Sequence, residues 1–276
     1  MNEIKTVQST NVHESPYRLY EGHERLEEIP ASEAERRYLL RQLHIDILTV
    51  INKYMWLSAK HIRVLLPQYP KTAIRNALKV LQRRCYVRAV LFVDREGLNG
   101  PARAFCIGRR AQRELLQCGI IPNRYVELQT HTCRKVKSVL AANQTFLPMR
   151  DRFEKFDVRV PVVGSPQDAT RRQIFKTSIL AESDEEVLLI AAVRSHNENQ
   201  VCEKLRRMHR VLSMENTLPA NKRVRVLLVF DSELHLVQMK PVIAPLLEAF
   251  PVEVELTHDR VTATRLPAEP TEQQAV

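Results

Sequence analysis

Apolar residues recur along this chain with two different periods, and the changes of period divide it into elements. Leu40, Leu43, Ile47, Leu48, Ile51 and Tyr54 recur at helical spacing and form one stripe, the mark of an amphipathic helix. Ser32 is suited to cap that helix, and Glu33 and Glu35 suit a first turn where the backbone dipole is positive. Trp56 follows in a turn and reads as a core plug. Ser58 then caps a short second helix over 59–66, with Ile62, Leu65 and Leu66 inward, Lys60 and Arg63 outward, and Pro67 at its end. Pro70 opens a third helix over 71–84, because a helix's first turn needs no backbone donor. Its buried face is Ile74, Ala77, Leu78 and Leu81, and its other side carries Lys71, Arg75, Asn76, Lys79 and Arg83.

The period then shortens. Val87 to Val93 is β-branched and apolar, DREGLNGP is rich in turn residues, and Arg103 to Ile107 reads as a second strand, which together predict a hairpin with a basic tip. Gly108 precedes a helix over 109–117 that Gly119 stops. Beyond it, 125–142 reads as a connecting helix, and 158–163 and 174–180 read as strands. EVLLIAAV at 186–193 and the run 223–230 are continuous apolar segments suited to buried strands. Between them 197–214 is an amphipathic helix built on Val201, Leu205, Met208 and Leu212. Residues 232–250 read as helix broken at Pro241 and Pro245, and 252–256 reads as a last strand. Strands alternating with helices predict an α/β layer. The fold class expected is α+β: an N-terminal winged helix-turn-helix followed by a small α/β sandwich domain. The expected divisions are a flexible arm (1–31), a three-helix and hairpin domain (32–120), a helical connector (121–156), an α/β domain (157–266) and a disordered tail (267–276).

Charge gives this layout a direction. The net charge is +10, yet 17 Lys and Arg against 5 Asp and Glu between Ala34 and Gly119 leave that segment at +12 and the rest near −2. A basic excess confined to one segment is what a polyanion-binding surface requires. No apolar run reaches the length of a membrane span and the first ten residues are too polar for a signal peptide, so a membrane is not the expected partner. The five cysteines are dispersed without a CxxC pair, as in a reduced cytoplasmic protein. No glycine-rich phosphate loop occurs among the six glycines, and no cofactor is expected.

The order of three helices, hairpin and helix, with PKTAIRNALKVLQRRCYVRAV at its centre, resembles the winged-helix domains of bacterial DNA-binding proteins. The wider layout resembles the replication-relaxation type of protein carried on plasmids and conjugative elements, whose second domain is similar to the restriction-endonuclease fold. The resemblance implies that the third helix enters the major groove by its N-terminal part while the wing lies along phosphates or a minor groove. Lys71, Thr72, Arg75, Asn76, Lys79, Arg83, Arg88, Arg95 and Arg103 are then the expected contacts to double-stranded DNA. An active nuclease of that fold would need a carboxylate and lysine on the strand that here reads LLIAAVRS, where alanine, alanine and valine stand instead. Asp157 and Asp231 lie near strand ends, and acidic residues there are more often solvated or capping. His196, Cys202, Glu203 and His209 gather around one helix, but no second pair completes a zinc tetrahedron. Lys204, Arg206, Arg207 and Arg210 on the same helix read as a solvated face or a second basic patch. The expectation is a non-enzymatic, cytoplasmic DNA-binding protein of transcriptional or replication control, without a catalytic or metal site. Its α/β domain is expected to hold a protein partner or a second copy. The alternatives are a metal-dependent endonuclease and a protein-interaction adaptor.

Overall fold

The computed structural model describes residues 25–28, 40–93, 102–121, 133–164, 173–214, 217, 219 and 221–259, and its architecture is α+β. The first part holds helices α1 (Gln42–Tyr54), α2 (Ala59–Leu65) and α3 (Lys71–Arg83), with the short strand β2 (Leu57–Ser58) between the first two. Strands β3 (Val87–Val93) and β4 (Ala102–Ile107) pair antiparallel as the expected hairpin, and α4 (Arg109–Gln117) follows. Ser58 caps α2 by accepting from the backbone N–H of His61. Gly119, at φ 73°, takes the left-handed conformation that ends α4.

Two expectations near the N-terminus change. Strand β1 (Arg25–Glu28) lies within the segment expected to be an unstructured arm, and it pairs antiparallel with β3. The order of this sheet is β1-β3-β4-β2, so β1 covers the outer edge of the hairpin. The first helix begins at Gln42 with Arg41 as its cap, so Ser32, outside the described residues, does not cap it. Leu40 is partly buried ahead of the helix, so the apolar stripe runs on into its lead-in.

Helix α5 (Cys133–Phe146) stands where the connecting helix was expected, 125–132 lying outside the described residues, and a 3-10 turn (Leu147–Arg152) extends it. The second sheet has the order β11-β10-β9-β8-β5, from strands β5 (Lys155–Val158), β8 (Ile179–Glu182), β9 (Glu186–Val193), β10 (Arg223–Phe230) and β11 (Glu253–His258). β9, β10 and β11 run parallel, joined by α6 (Glu198–Leu212) and α7 (Glu233–Glu248), while β8 is antiparallel to its neighbours. Each segment read as one strand over 158–163 and 174–180 is in fact two. The chain bends at Arg159, whose φ is 59°, so that β6 (Pro161–Gly164) and β7 (Gln173–Lys176) leave the sheet as a separate hairpin and cover α6. Helix α7 runs unbroken through Pro241 and Pro245. The two prolines and Val237 are four residues apart on one exposed face, where the carbonyls deprived of helical donors reach water.

Both faces of β9 are buried, which explains its uninterrupted apolar sequence. Leu189, Ala191 and Val193 pack with Val226, Leu228 and Phe230 against Val201, Leu205 and Met208 of α6 and Met239 and Ile243 of α7. Leu188, Ile190, Leu227 and Val229 share the opposite face with α5 and with the apolar stripes of α1 and α3. One continuous cluster therefore joins the two halves, sealed by Phe156, which lies 4.8 Å from the rings of both Tyr54 and Phe146. Buried Trp56 fills the space between the small sheet and α5, with Val136, Val139 and Leu140. Asn143 of α5 fastens the same junction by donating to the carbonyls of Tyr54 (3.1 Å) and Trp56 (2.7 Å).

Candidate nucleic-acid interface

Helix α3 divides into two faces along its length. Ile74, Ala77, Leu78 and Leu81 are buried, whereas Lys71, Thr72, Arg75, Asn76, Lys79 and Arg83 are all exposed. Among the described residues no carboxylate holds any of the four cations of that face, so their charge is presented to solvent. The turn before the helix is tied down: the Tyr69 hydroxyl donates to Asp46 of α1 at 2.6 Å, which raises its pKa. Pro70 occupies the N-cap, leaving the first backbone N–H groups of α3 directed outward beside Lys71 and Thr72.

The register of the hairpin sorts its arginines. Residues directly opposite in an antiparallel pair share a face, and alternate residues change face. Arg103 is opposite Leu91 and falls on the face of Ala89 and Phe105, which packs against α1 and α3. It is exposed toward the hairpin's far end, on the same side of the sheet as α3. Arg88 is opposite Cys106 and belongs to the other face, with Val90 and Ala104 against α5. The structure therefore groups Arg103 with the basic face of α3 and separates Arg88 from it, because strand alternation outweighs closeness in sequence. Arg95 and the rest of 94–101 lie outside the described residues. Gly108 sets how the hairpin meets α4. A Cβ there would stand 2.3 Å from the carbonyl oxygen of Cys85, and its N–H donates to Tyr86 at 2.9 Å.

A second polar constellation was not legible in the sequence. At the carboxyl ends of β9, β10 and β11 stand Arg194, Asp231 and Asp259. The buried Arg194 guanidinium pairs with Asp231, donates to Asp259 at 2.6 Å and donates to the Lys137 carbonyl of α5 at 3.0 Å. Burial alone would lower its pKa, but the two carboxylates raise it. For Asp231 burial works upward and is overcome by the hydrogen bond with His196, 3.4 Å away, and by the charges of Arg194 and Lys137, so its carboxyl titrates well below the usual range. His196 stacks on His235 at 4.1 Å between ring centroids. His235 is buried and its Nδ1 accepts from the N–H of Asp231; burial, followed by the charge of His196, holds it down to about 4. Asp231 is thus committed to an ion pair, whereas Asp157 is exposed on β5.

The histidine and acidic residues of α6 do other work. Glu203 pairs with Arg210, and His209 Nε2 lies 2.9 Å from the Ala249 carbonyl oxygen. Among the described residues no three His, Cys, Asp or Glu side chains gather as a metal-ligand set. Lys204, expected on a solvated face, instead turns its ammonium inward to the Ala192 carbonyl at 2.6 Å. Arg206, Arg207 and Arg210 remain exposed. No described helix is long and apolar enough to cross a membrane.

No family model matches the chain, and no curated protein matches it. Among solved structures it is similar to the crystal structure of protein VC1899 from Vibrio cholerae, at 7% identity and a TM-score of 0.31, over 80% of this chain and 54% of that one. The chain therefore spans about half the length of that protein.

Proposed function

We propose that residues 32–120 form a winged helix-turn-helix that binds double-stranded DNA, with α3 as the groove-facing helix and the β3–β4 hairpin as the wing. The observation that carries this reading is the exposed face of α3, six polar or basic side chains with no carboxylate set against them among the described residues, on a helix whose opposite side is locked in the core. Arg75 and Asn76 stand in its first two turns, where side chains reach base edges; arginine suits guanine and asparagine suits adenine. Lys79, Arg83 and Arg103 serve phosphates and set register without reading sequence. Arg88 is withdrawn from this interface on its placement across the sheet.

We further propose that the protein acts in the cytoplasm, in transcriptional or mobile-element replication control, and that its α/β domain serves contact with a partner protein or a second copy rather than catalysis. In support of the last point, β9 between Val187 and Val193 consists only of buried apolar side chains, with no carboxylate or lysine to position a divalent metal.

Salt dependence of binding tests the reading. Five exposed cations on α3 and the hairpin, Lys71, Arg75, Lys79, Arg83 and Arg103, give a slope of log K against log salt of about −4.5 if each neutralises one phosphate. Fluorescence anisotropy with a random duplex measures it, and a fragment covering 32–120 retains most of the affinity. A flat salt dependence, or binding only by fragments that contain 157–266, overturns the assignment. Plasmid cleavage on adding magnesium or manganese would replace it with the endonuclease reading.

A further inference from the structure

Helices α6 and α7 pack on one face of the second sheet and run in the same direction, because each carries the chain from one parallel strand to the next. Their inner residues meet beneath the sheet, Val201, Leu205 and Met208 beside Met239 and Ile243. Toward their C-terminal ends the helices leave a crevice of about 430 Å3 between them, a volume within the range of small-molecule sites.

The two walls of this crevice differ in chemistry. Leu246, Ala249 and Phe250, from the end of α7, make one wall apolar. Leu246 and Phe250 pack partly into the core and stay partly open. The other wall is one edge of α6, where Glu203, Arg206 and Arg210 stand three and four apart and all are exposed. His209 ties the walls together. Its Nε2–H donates to the Ala249 carbonyl at 2.9 Å, and its ring meets that of Phe250 edge-on with 5.5 Å between centroids. The spacing of the walls is therefore set by contacts between the two helices. The charges on the α6 edge are not balanced. Arg210 donates to Glu203 at 3.1 Å and stands in the last turn of α6, where the backbone dipole also favours a cation. Arg206 has no carboxylate partner among the described residues and lies beyond the last turn, where the dipole does little for it. One uncompensated guanidinium thus borders an apolar wall.

We infer that this crevice binds a small organic anion, a carboxylate with an apolar body. The body lies on Leu246, Ala249 and Phe250, and the carboxylate pairs with Arg206, whose planar fork suits it. The site shares no residue with α3, so it stands or falls separately from the winged-helix reading.

The test uses the full chain and 8-anilinonaphthalene-1-sulfonate, an anion on an aromatic body that fluoresces when water leaves it. One saturable site should appear. Octanoate should displace the probe about fivefold more effectively than neutral octanamide, the upper end of what an exposed ion pair contributes. Arg206→Gln, on an exposed side chain, should weaken probe and octanoate by about the same factor and leave octanamide unchanged. Arg207→Gln, equally exposed but outside the crevice, should change none of the three. Ala249→Trp should fill the crevice and abolish the fluorescence rise; if that variant misfolds, the comparison of Arg206→Gln with Arg207→Gln still decides. Octanamide competing as well as octanoate, or equal losses in the two arginine variants, overturns the site. Displacement of the probe by a short random duplex also overturns it, since the arginines of α6 would then be a nucleic-acid surface.

Discussion

Asn143→Leu isolates the fastening between the two halves of the molecule. Leucine keeps the branched shape of the side chain, so packing against α1 changes little and the polar groups alone are removed. The substitution deletes two buried hydrogen bonds, to the carbonyls of Tyr54 and Trp56. The Tyr54 carbonyl keeps the N–H of Trp56 as a donor at 2.7 Å, so its loss costs about 1 kcal/mol, the ordinary net worth of a hydrogen bond. Loss of the hydrogen bond to the Trp56 carbonyl, beside Val136, Val139 and Leu140, costs about 1 kcal/mol more. Asn143 Oδ1 is itself buried without a partner, and removing it returns part of that cost. The net expectation is a loss of about 2 kcal/mol, or roughly 4–8 °C in thermal midpoint for a chain of this size. Urea unfolding followed by Trp56 fluorescence and by far-ultraviolet circular dichroism measures it. Because one apolar cluster spans both halves, the two signals should shift together. Ser138→Ala, which removes only an exposed bond within α5, should stay within about 0.5 kcal/mol. An unchanged midpoint for Asn143→Leu, or a shift in only one signal, refutes the reasoning.

Arg75→Ala should cost about 1–3 kcal/mol on the preferred DNA site and much less on random duplex, as measured by competition anisotropy; equal losses on both would make α3 a phosphate-contacting helix. Gly108→Ala forces backbone to move, since its new Cβ would stand 2.3 Å from Cys85 O, and should destabilise by about 1–3 kcal/mol in urea titration; a neutral result would show the hairpin can shift freely on α4. His61 and His235 are both held down to about 4, burial being the largest cause for each. Between about 4 and 6.5 the unfolded chain therefore binds protons that the folded chain refuses, so stability is complete above that window and falls as pH falls through it. Unfolding midpoints across that range, with His61→Gln flattening the slope, check the sign; stability rising toward pH 4 would contradict it.

Local chemistry was enough wherever an element's partners mattered little to its identity. Ser58 caps α2 because a hydroxyl before a helix satisfies an N–H wherever the helix packs, and the runs 87–93, 186–193 and 223–230 are strands at the bounds their apolar character suggested. The stripe on α3 and the basic face opposite it follow from 3.6-residue periodicity alone. What the chain order could not specify depended on register and on distant neighbours. Arg88 and Arg103 look equivalent in sequence, and only their pairing with Cys106 and Leu91 puts them on opposite faces. The bend at Arg159 reflects where β6 and β7 find α6, not a turn residue, since arginine gives no local signal for a positive φ. Pro241 and Pro245 should break a helix by local rules, yet their shared exposure lets α7 continue. Arg194, Asp231 and Asp259, 37 and 65 residues apart from the arginine, meet because parallel strands bring their carboxyl ends to one edge. Lys204 turns inward, although its helix spacing suits a solvated face equally well, because the carbonyl its ammonium meets, that of Ala192, belongs to a neighbouring strand.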